Sequence, residues 1–190
     1  ISWPEDSRFS NAAVLDGNVW VLTARNVAEA EALDYQLWRV DDAGSSQLMA
    51  EISNATSPPA LWVTDRNLFA FASTCRQESP SCVEPRDGVV WVFAADGSSS
   101  AQGVTVEAGG IPFGAVADSV WVNAYPDLLL VNNEGSVVER VPLRGTEPCV
   151  LGGQLVVIDG SDGFPLQGGF GQWRGARTGR RYSGVRGGTA

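Results

Sequence analysis

The residues that could carry chemistry in this chain are acidic side chains and arginines, gathered in two stretches. The first stretch is 25–34, RNVAEAEALD, and the second is 74–88, TCRQESPSCVEPRDG. Each separates two apolar runs with the composition of β-strands, so both are predicted to be loops, which often carry binding residues on a rigid scaffold. The candidate binding residues are Arg25, Glu29, Glu31, Asp34, Arg76, Glu78, Glu84, Arg86 and Asp87.

The composition excludes most of the common catalytic chemistry. The sequence has no histidine, and all 13 of its basic residues are arginine. This excludes His general bases, Ser-His-Asp and Cys-His nucleophile systems, His-ligated zinc, and phosphate-binding or Schiff-base lysines. Paired carboxylates can cleave glycosides, but no feature of the sequence marks one of the loop carboxylates as buried. We therefore expect a non-catalytic protein with no metal and no cofactor.

The three cysteines bear on the compartment. Cys75 and Cys82 both lie in the second loop, at a spacing that suits a disulfide across a surface hairpin. Such bridges persist in oxidising compartments, so we predict an extracytoplasmic, secreted or cell-surface location. Metal binding is the alternative, although one cysteine pair without histidine completes no known ligand set. Cys149 lies in an apolar run and is expected to be a small buried residue.

Charge and hydropathy limit the possible partners. The formal net charge of −9 opposes binding to nucleic-acid phosphates. The longest apolar run, Val89 to Ala95, is seven residues long, whereas a membrane-spanning helix needs roughly 20. After Asp162 no acidic residue occurs, and the tail is predicted to be either an edge strand kept soluble by arginines or a partner-docking segment. Its arginines are Arg174, Arg177, Arg180, Arg181 and Arg186.

The elements that must position the two loops are clearest in the stretch from Ile111 to Leu143. Four short apolar runs occur there, at 114–116, 120–122, 128–131 and 137–141, separated by turns with Asp-Ser, Pro-Asp and Asn-Glu-Gly. Alternating strands joined by such turns predict one antiparallel meander of four strands.

The same order of signals recurs along the chain. Second strands are predicted at 19–21, 68–70, 120–122 and 155–157, third strands at 37–40, 90–93, 128–131 and 172–174, and glycine turns follow at 41–44, 95–97, 132–135 and 177–179. A ragged period of about 40 to 50 residues with four strands per repeat is typical of propeller blades. The alternative is an ordinary β-sandwich. Tryptophans in these runs are expected to fill the space between stacked sheets, or else to form a stacking platform for a sugar or quinone.

We therefore predict a single all-β domain, 1–190, built as a β-propeller of four four-stranded antiparallel blades at about 9–53, 58–109, 111–144 and 147–187. The ring is expected either to close with four blades or to form part of a six- to eight-bladed ring completed by further blades or another chain. Equivalent loops of neighbouring blades emerge on one face, so the two long loops are expected to lie side by side.

The unit GAVADSVWVNA…DLLLVNNEGSVVERVPL resembles the blade of the YVTN and virginiamycin-B-lyase-like propeller repeats, a group near the NHL repeats. The resemblance covers about 12–187 and is strongest in the third copy. It implies a radial array of four-stranded meanders, often outside the cytoplasm. The lyases of this group rely on a catalytic histidine with acidic and metal-binding partners, and this sequence contains no histidine.

These expectations favour an extracytoplasmic β-propeller that acts as a binding or scaffolding module, with a protein partner or small ligand at one propeller face and no nucleic acid. The alternative is the propeller portion of a lyase- or quinoprotein-type enzyme whose catalytic residues lie outside this chain.

Overall fold

The computed structural model describes residues 7–25, 33–75, 86–106, 110–143, 148–151, 154–157 and 180–183. These residues form fifteen β-strands and no helix. Every strand pair among them is antiparallel. The all-β, antiparallel prediction is confirmed.

The strands form four successive groups along the chain. The first meander contains β1 (Ser7–Leu15), β2 (Asn18–Arg25), β3 (Leu33–Val40) and β4 (Ser46–Ala55). The second contains β5 (Ala60–Val63), β6 (Asn67–Cys75), β7 (Arg86–Ala94) and β8 (Ser99–Val106). The third contains β9 (Ile111–Val116), β10 (Ser119–Ala124), β11 (Asp127–Val131) and β12 (Val137–Pro142). The fourth sheet contains β13 (Pro148–Leu151), β14 (Gln154–Val157) and β15 (Arg180–Ser183).

Residues alternate between two faces of each sheet, as the period of a β-strand requires. On β6, Leu68 and Ala70 face the first meander, whereas Phe69 and Phe71 face the third. On β10, Val120 and Val122 face the second meander, and Trp121 between them faces the fourth sheet. The meanders and the fourth sheet therefore stack face to face, with the second and third meanders each buried on both faces. A single bridge from Ala55 to Thr74 joins the first two meanders into one eight-stranded sheet.

Three hydrophobic cores fill the spaces between successive sheets. The first core joins Leu15, Trp20, Leu22, Tyr35, Leu37, Ile52 and Ala55 to Leu68, Ala70, Ala72 and Phe93. The second joins Phe69, Phe71, Val90, Val92, Ala101 and Val106 to Val120, Val122, Ala124, Leu129 and Val131. The third joins Trp121, Leu128, Leu130 and Val141 to Leu155.

The first strands of the four groups lie next to one another in series. β1 contacts β5, β5 contacts β9, and β9 contacts β13. The short turns also meet, since Asn18 Nδ2 donates to Ala95 O at 3.4 Å and Ser100 Oγ donates to Asn133 O at 2.5 Å. The glycine turns of the first three groups therefore share one edge, which we call the turn edge, and the connections between second and third strands lie at the opposite edge, the loop edge.

The predicted glycine turns are confirmed in the first three groups. Gly44, Gly97 and Gly135 have φ angles of 79°, 88° and 76°, a region that favours glycine because it has no Cβ. The predicted turn at 177–179 and the predicted strand at 172–174 lie outside the described residues, and β14 pairs with β13 on one side and with β15 on the other.

Tryptophan burial depends on the strand. Trp20 and Trp121, on the second strands, are fully buried in the first and third cores. Trp62 and Trp91 are half-buried against the second and first cores. Trp38 is also half-buried, but it lies on the other face of the first meander, opposite Val21 in the strand register.

Candidate functional site

The two long connections begin and end at one continuous sheet edge. Ala55, the last residue of β4, pairs with Leu33 at the end of the first connection and with Thr74 at the start of the second. Thr74 in turn pairs with Asp87, where the second connection ends. Thr56 reinforces this link, because its amide and its hydroxyl both donate to Ser73 O, at 2.9 and 3.1 Å. The anchors of both connections are thus fixed side by side.

The face of the first meander that points away from the second meander, which we call the open face, changes from apolar to polar along the strands. Its three rows follow the strand register: Val14–Val19–Val40–Ser46 near the turn edge, Ala12–Val21–Trp38–Leu48 in the middle, and Phe9–Thr23–Gln36–Glu51 towards the loop edge. Ser7 and Arg25 pair beyond the third row. Charge is therefore confined to the loop edge of this face.

Glu51 is the centre of a polar cluster formed by Thr23, Arg25, Gln36, Trp38 and Glu51. Its Oε1 accepts a 3.1 Å hydrogen bond from Gln36 Nε2 and lies 4.0 Å from Arg25 Nη1. Beside it, Trp38 Nε1 donates to Thr23 Oγ1 at 3.2 Å, and the Thr23 hydroxyl donates to Gln36 O at 3.5 Å. The buried side chains of Thr23 and Gln36 thus support two exposed charges.

This arrangement can bind polar groups of a ligand. More than half of the Arg25 and Glu51 side chains is exposed, so the pair contributes only about 0 to 1 kcal/mol to stability and both groups are available to a ligand. Gln36 Oε1 is buried without a hydrogen-bond partner, although buried polar atoms are normally paired. The exposed part of the cluster therefore offers an acidic acceptor, Glu51, and a cationic donor, Arg25.

Of the predicted binding residues, Arg25, Asp34, Arg86 and Asp87 belong to the described part of the chain. Arg25 is in the polar cluster, and the Asp34 carboxylate accepts a 3.2 Å hydrogen bond from the Asn54 amide at the end of β4. Asp87 lies on β7, and the backbone of Arg86 begins that strand. Outside the described residues lie Glu29, Glu31, Arg76, Glu78, Glu84 and the Cys75–Cys82 pairing.

Two exposed apolar residues mark the loop edge of the third meander. Tyr125 lies in its tight turn, before a cis bond to Pro126, and Ile111 begins β9 opposite Asn123. Both side chains are largely exposed. Neither was predicted from the sequence, in which Tyr125 is part of a minimal turn. Tyrosine is enriched in protein interfaces, so the presence of Tyr125 in a turn could have marked it as a candidate contact residue.

A groove of about 330 Å³ lies between the first two meanders, along β4 and next to Glu51 of the polar cluster. It is lined by Leu48, Met49, Ala50, Glu51, Trp91 and Gln102. Two residues, Gln102 and Gly103, lie opposite Trp91 because the β7–β8 register shifts there, and the indole lies 3.7 Å from the position of a Cβ on Gly103. Trp91 is half-buried beside this bulge.

The other observations that bear on ionisation, metal binding and membrane insertion concern residues outside the polar cluster. Burial raises the pKa of the Tyr35 phenol in the first core. Within the described ranges no group of three or more His, Cys, Asp or Glu could hold a metal ion, and no helix there is long and apolar enough to cross a membrane. Cys149, predicted to be buried, is half-buried on β13 and forms no disulfide.

No protein-family model matches this chain, and no curated protein matches it either. Among solved structures, it is similar to an acylaminoacyl peptidase of Pyrococcus horikoshii in an orthorhombic crystal form, with 14% identity and a TM-score of 0.43 over 83% of this chain. It is also similar to the uncomplexed enzyme of that organism, with 12% identity and a TM-score of 0.35 over 80% of the chain. A third match is an acylaminoacyl peptidase in complex with Z-Gly-Gly-Phe-chloromethyl ketone, with 14% identity and a TM-score of 0.44 over 82% of the chain. The chain spans 37%, 36% and 37% of these proteins, and at this similarity they assign it neither a family nor an activity.

Proposed function

We propose that this chain is a β-propeller whose blades are the three meanders and the fourth sheet, approximately 9–53, 58–109, 111–144 and 147–187. Two observations support the proposal. The first strands contact one another in series, as strands around a common axis do, and each sheet packs a face on the next. A sandwich would instead pack two sheets around one core, whereas three successive cores separate the sheets of this chain.

We further propose that the propeller is an extracytoplasmic, non-catalytic module that binds a protein or a small ligand at its loop edge. The observation that carries this proposal is the pairing of Ala55 with both Leu33 and Thr74, which fixes the ends of both long connections beside the polar cluster. Binding sites commonly combine a rigid scaffold with variable loops. The absence of histidine and lysine from the sequence supports binding rather than catalysis.

The chemistry of the site favours a ligand with both a cationic and an anionic or amide group. Glu51 and Arg25 lie side by side and exposed, so a peptide or a polar metabolite could pair with each. Ile111 and Tyr125 at the loop edge of the third meander add apolar contact area. Peptide segments combine all of these features, and we favour them as the ligand class.

An array of extended peptides and glycans, probed with the intact chain, tests this function. Glu51→Gln and Arg25→Gln should each weaken binding of any peptide found, by about tenfold or more if the charge-assisted bond is made in a desolvated site. Replacing residues 25–34 and 74–88 with connections as short as residues 124–127 should abolish peptide binding.

The matched control is Glu134→Gln, an exposed glutamate at the turn edge of the third meander. It should leave peptide binding unchanged. Equal binding by the intact chain and by the variant with both connections shortened would contradict the proposed site.

A further inference from the structure

The last strand of the first meander, β4, pairs fully along only one of its two edges. One edge pairs with β3 over most of its length, whereas the other makes a single bridge, from Ala55 to Thr74. Among the described residues, no strand pairs with this second edge at 46–53, which we call the free edge. The backbone N–H and C=O groups of such an edge can pair with a further strand.

The groove between the first two meanders follows this free edge. Four of its lining residues are consecutive on β4: Leu48, Met49, Ala50 and Glu51. Met49 and Ala50 pack against the first core, whereas Leu48 and Glu51 lie on the open face, opposite residues of β3. Since the residues of one strand alternate between its two faces, a wall lined from both faces is the edge of the strand.

The groove is large enough for a short extended segment. Its volume of about 330 Å³ lies within the range of ligand sites, about 300 to 1,000 Å³. Four residues of a strand span about 13 Å, so the groove can face about four residues of an added strand. Trp91 and Gln102 form the wall opposite β4.

We propose that an extended peptide binds along the free edge as a fifth strand of the first meander, antiparallel to β4, with a basic residue opposite Glu51. The proposal rests on the proposed function, from which it takes the peptide ligand, and it adds the position, the binding mode and the residue pattern of that peptide. In recognition by strand addition, main-chain hydrogen bonds supply affinity and alternate side chains supply specificity.

The two faces of β4 determine the residue pattern of the peptide. A peptide side chain on the inner face would contact Trp91 and Met49, so an apolar residue fits there. Its two neighbours would lie on the open face, one opposite Glu51 and one opposite the 40% exposed Leu48. The peptide pattern is therefore basic, apolar, apolar.

The spacing of this pattern already occurs on the other edge of β4. Three consecutive residues of β3 lie opposite the groove-lining part of β4, because the register shift leaves Met49 without a partner of its own. These pairs are Gln36–Glu51, Leu37–Ala50 and Trp38–Leu48. A fifth strand would present three residues to β4 in the same way.

Charge favours a basic residue in the peptide. Among the described residues that line the groove, Glu51 alone is charged. Its described contacts, with Gln36 and Arg25, are both made by Oε1, which leaves Oε2 for an arginine or lysine of the peptide. The net charge of −9 also attracts a cationic ligand and opposes the pairing of free edges from two copies of the chain.

Binding of a labelled octapeptide to the intact chain tests the residue pattern. The peptide has blocked ends and carries Arg-Leu-Val between threonines, and fluorescence anisotropy measures its dissociation constant. Replacing the peptide arginine with glutamate should weaken binding by about tenfold or more. Glu51→Arg should reverse this preference, whereas the matched control Glu134→Arg, with the same change in net charge at an exposed turn, should preserve it.

Backbone methylation of the peptide tests strand addition on the wild-type chain. In an antiparallel strand, alternate residues direct their N–H groups to the same edge. N-methyl groups on one alternate set should therefore weaken binding by about 30-fold or more, because they remove hydrogen bonds to β4, and the other set should have little effect. Equal effects of the two sets would overturn the proposal, as would an octapeptide that does not bind at millimolar concentration.

Two protein variants locate the peptide. Trp91→Ala should weaken binding by about tenfold or more through loss of apolar contact, and an unchanged affinity would overturn the proposal. The variant with both connections shortened separates this proposal from the proposed function. If it still binds the octapeptide with the same dependence on methylation, the free edge stands and the loop-edge site fails. If shortening abolishes binding and the two methylated sets bind the wild type equally, the loop-edge site stands and strand addition fails.

Discussion

The first and third meanders carry the same Val-Trp-Val triplet on their second strands, yet the triplets have different surroundings. Trp20 and Trp121 are both fully buried. Their neighbours differ: Val120 is 2% exposed, whereas Val19 at the equivalent position is 39% exposed. The same local sequence therefore produces a first valine that is covered in one meander and exposed in the other, although Val21, two residues along the same face, is only 8% exposed.

The difference shows that the alternation of side chains between the two faces of a strand is determined locally, whereas the burial of each face is not. The valines of both triplets lie on the face opposite the tryptophan, as the strand period requires. Whether that face is buried depends on the sheet beside it: the second meander covers Val120 and Val122, and no described sheet covers Val19. The turns of the two meanders show the same local control, since Asp41 and Asn132 accept equivalent hydrogen bonds, at 2.8 and 2.9 Å, from the amides of Ser45 and Ser136.

The largest expected effect is common to the two meanders. Trp20→Ala and Trp121→Ala should each lower the free energy of unfolding by about 3 to 5 kcal/mol, because each leaves a large cavity in a closed core. Urea unfolding monitored by circular dichroism measures both. A loss below 1 kcal/mol at one of them would mean that its core is not packed as described.

Gly114 tests the contact that buries the second face of the third meander. A Cβ at this position would lie 2.7 Å from Val150 Cβ on the fourth sheet, so Gly114→Ala should cost about 1 to 3 kcal/mol through overpacking. The double variant Gly114→Ala/Val150→Ala should recover part of this loss. Additive losses in the double-mutant cycle would show that the two sheets do not touch there.

The valines of the two triplets give the most direct measure of the difference. Val122→Ala should cost about 2 kcal/mol from two lost methyl groups and a residual cavity, whereas Val19→Ala should cost less than about 0.5 kcal/mol. Both are measured by urea unfolding monitored by circular dichroism. Equal losses would mean that the open face is covered within one chain.

The smallest effect concerns a turn of the second meander. Hydrogen bonds from the Ser98 hydroxyl and amide to Asp96, together with the charge of Arg39, hold the pKa of this carboxyl below its usual range. A lowered pKa in the folded state stabilises the protein above the unfolded-state pKa of about 4, and this contribution is lost as the pH falls through the folded-state pKa. The neutral Asn132 of the corresponding turn in the third meander provides no such dependence.

Comparing the pH dependence of unfolding for the wild type and Asp96→Asn checks this prediction. The difference in stability between the two proteins should shrink below about pH 4. A difference that stays constant from neutral to acidic pH would show that the carboxylate charge makes no contribution.

Sequence patterns predicted the strands better than the site. The runs at Val19–Val21, Leu128–Val131 and the glycine turns were predicted correctly because alternation and positive-φ turns are local features. The partnership of Glu51 with Gln36 was missed, because it depends on the register shift between Leu37 and Trp38 in the β3–β4 pair. A bulge of this kind changes which residues face each other without leaving a clear mark in the sequence.

Local sequence patterns also could not predict which of two similar residues is buried. Val19 and Val120 are each followed by Trp-Val in the sequence, and the stacking of whole sheets distinguishes them. The binding residues predicted in the two connections remain predictions, apart from the placement of Arg25, Asp34 and Asp87 at the loop edge.

The order of the strands within each sheet has a consequence for how the chain folds. Almost every described pair joins strands that are consecutive in the sequence, and the exception is the single bridge from Ala55 to Thr74. Pairs close in sequence lose little loop-closure entropy when they form, so low contact order favours rapid folding. We expect each meander to form early as an independent nucleus, and the docking of finished sheets on one another to limit the rate.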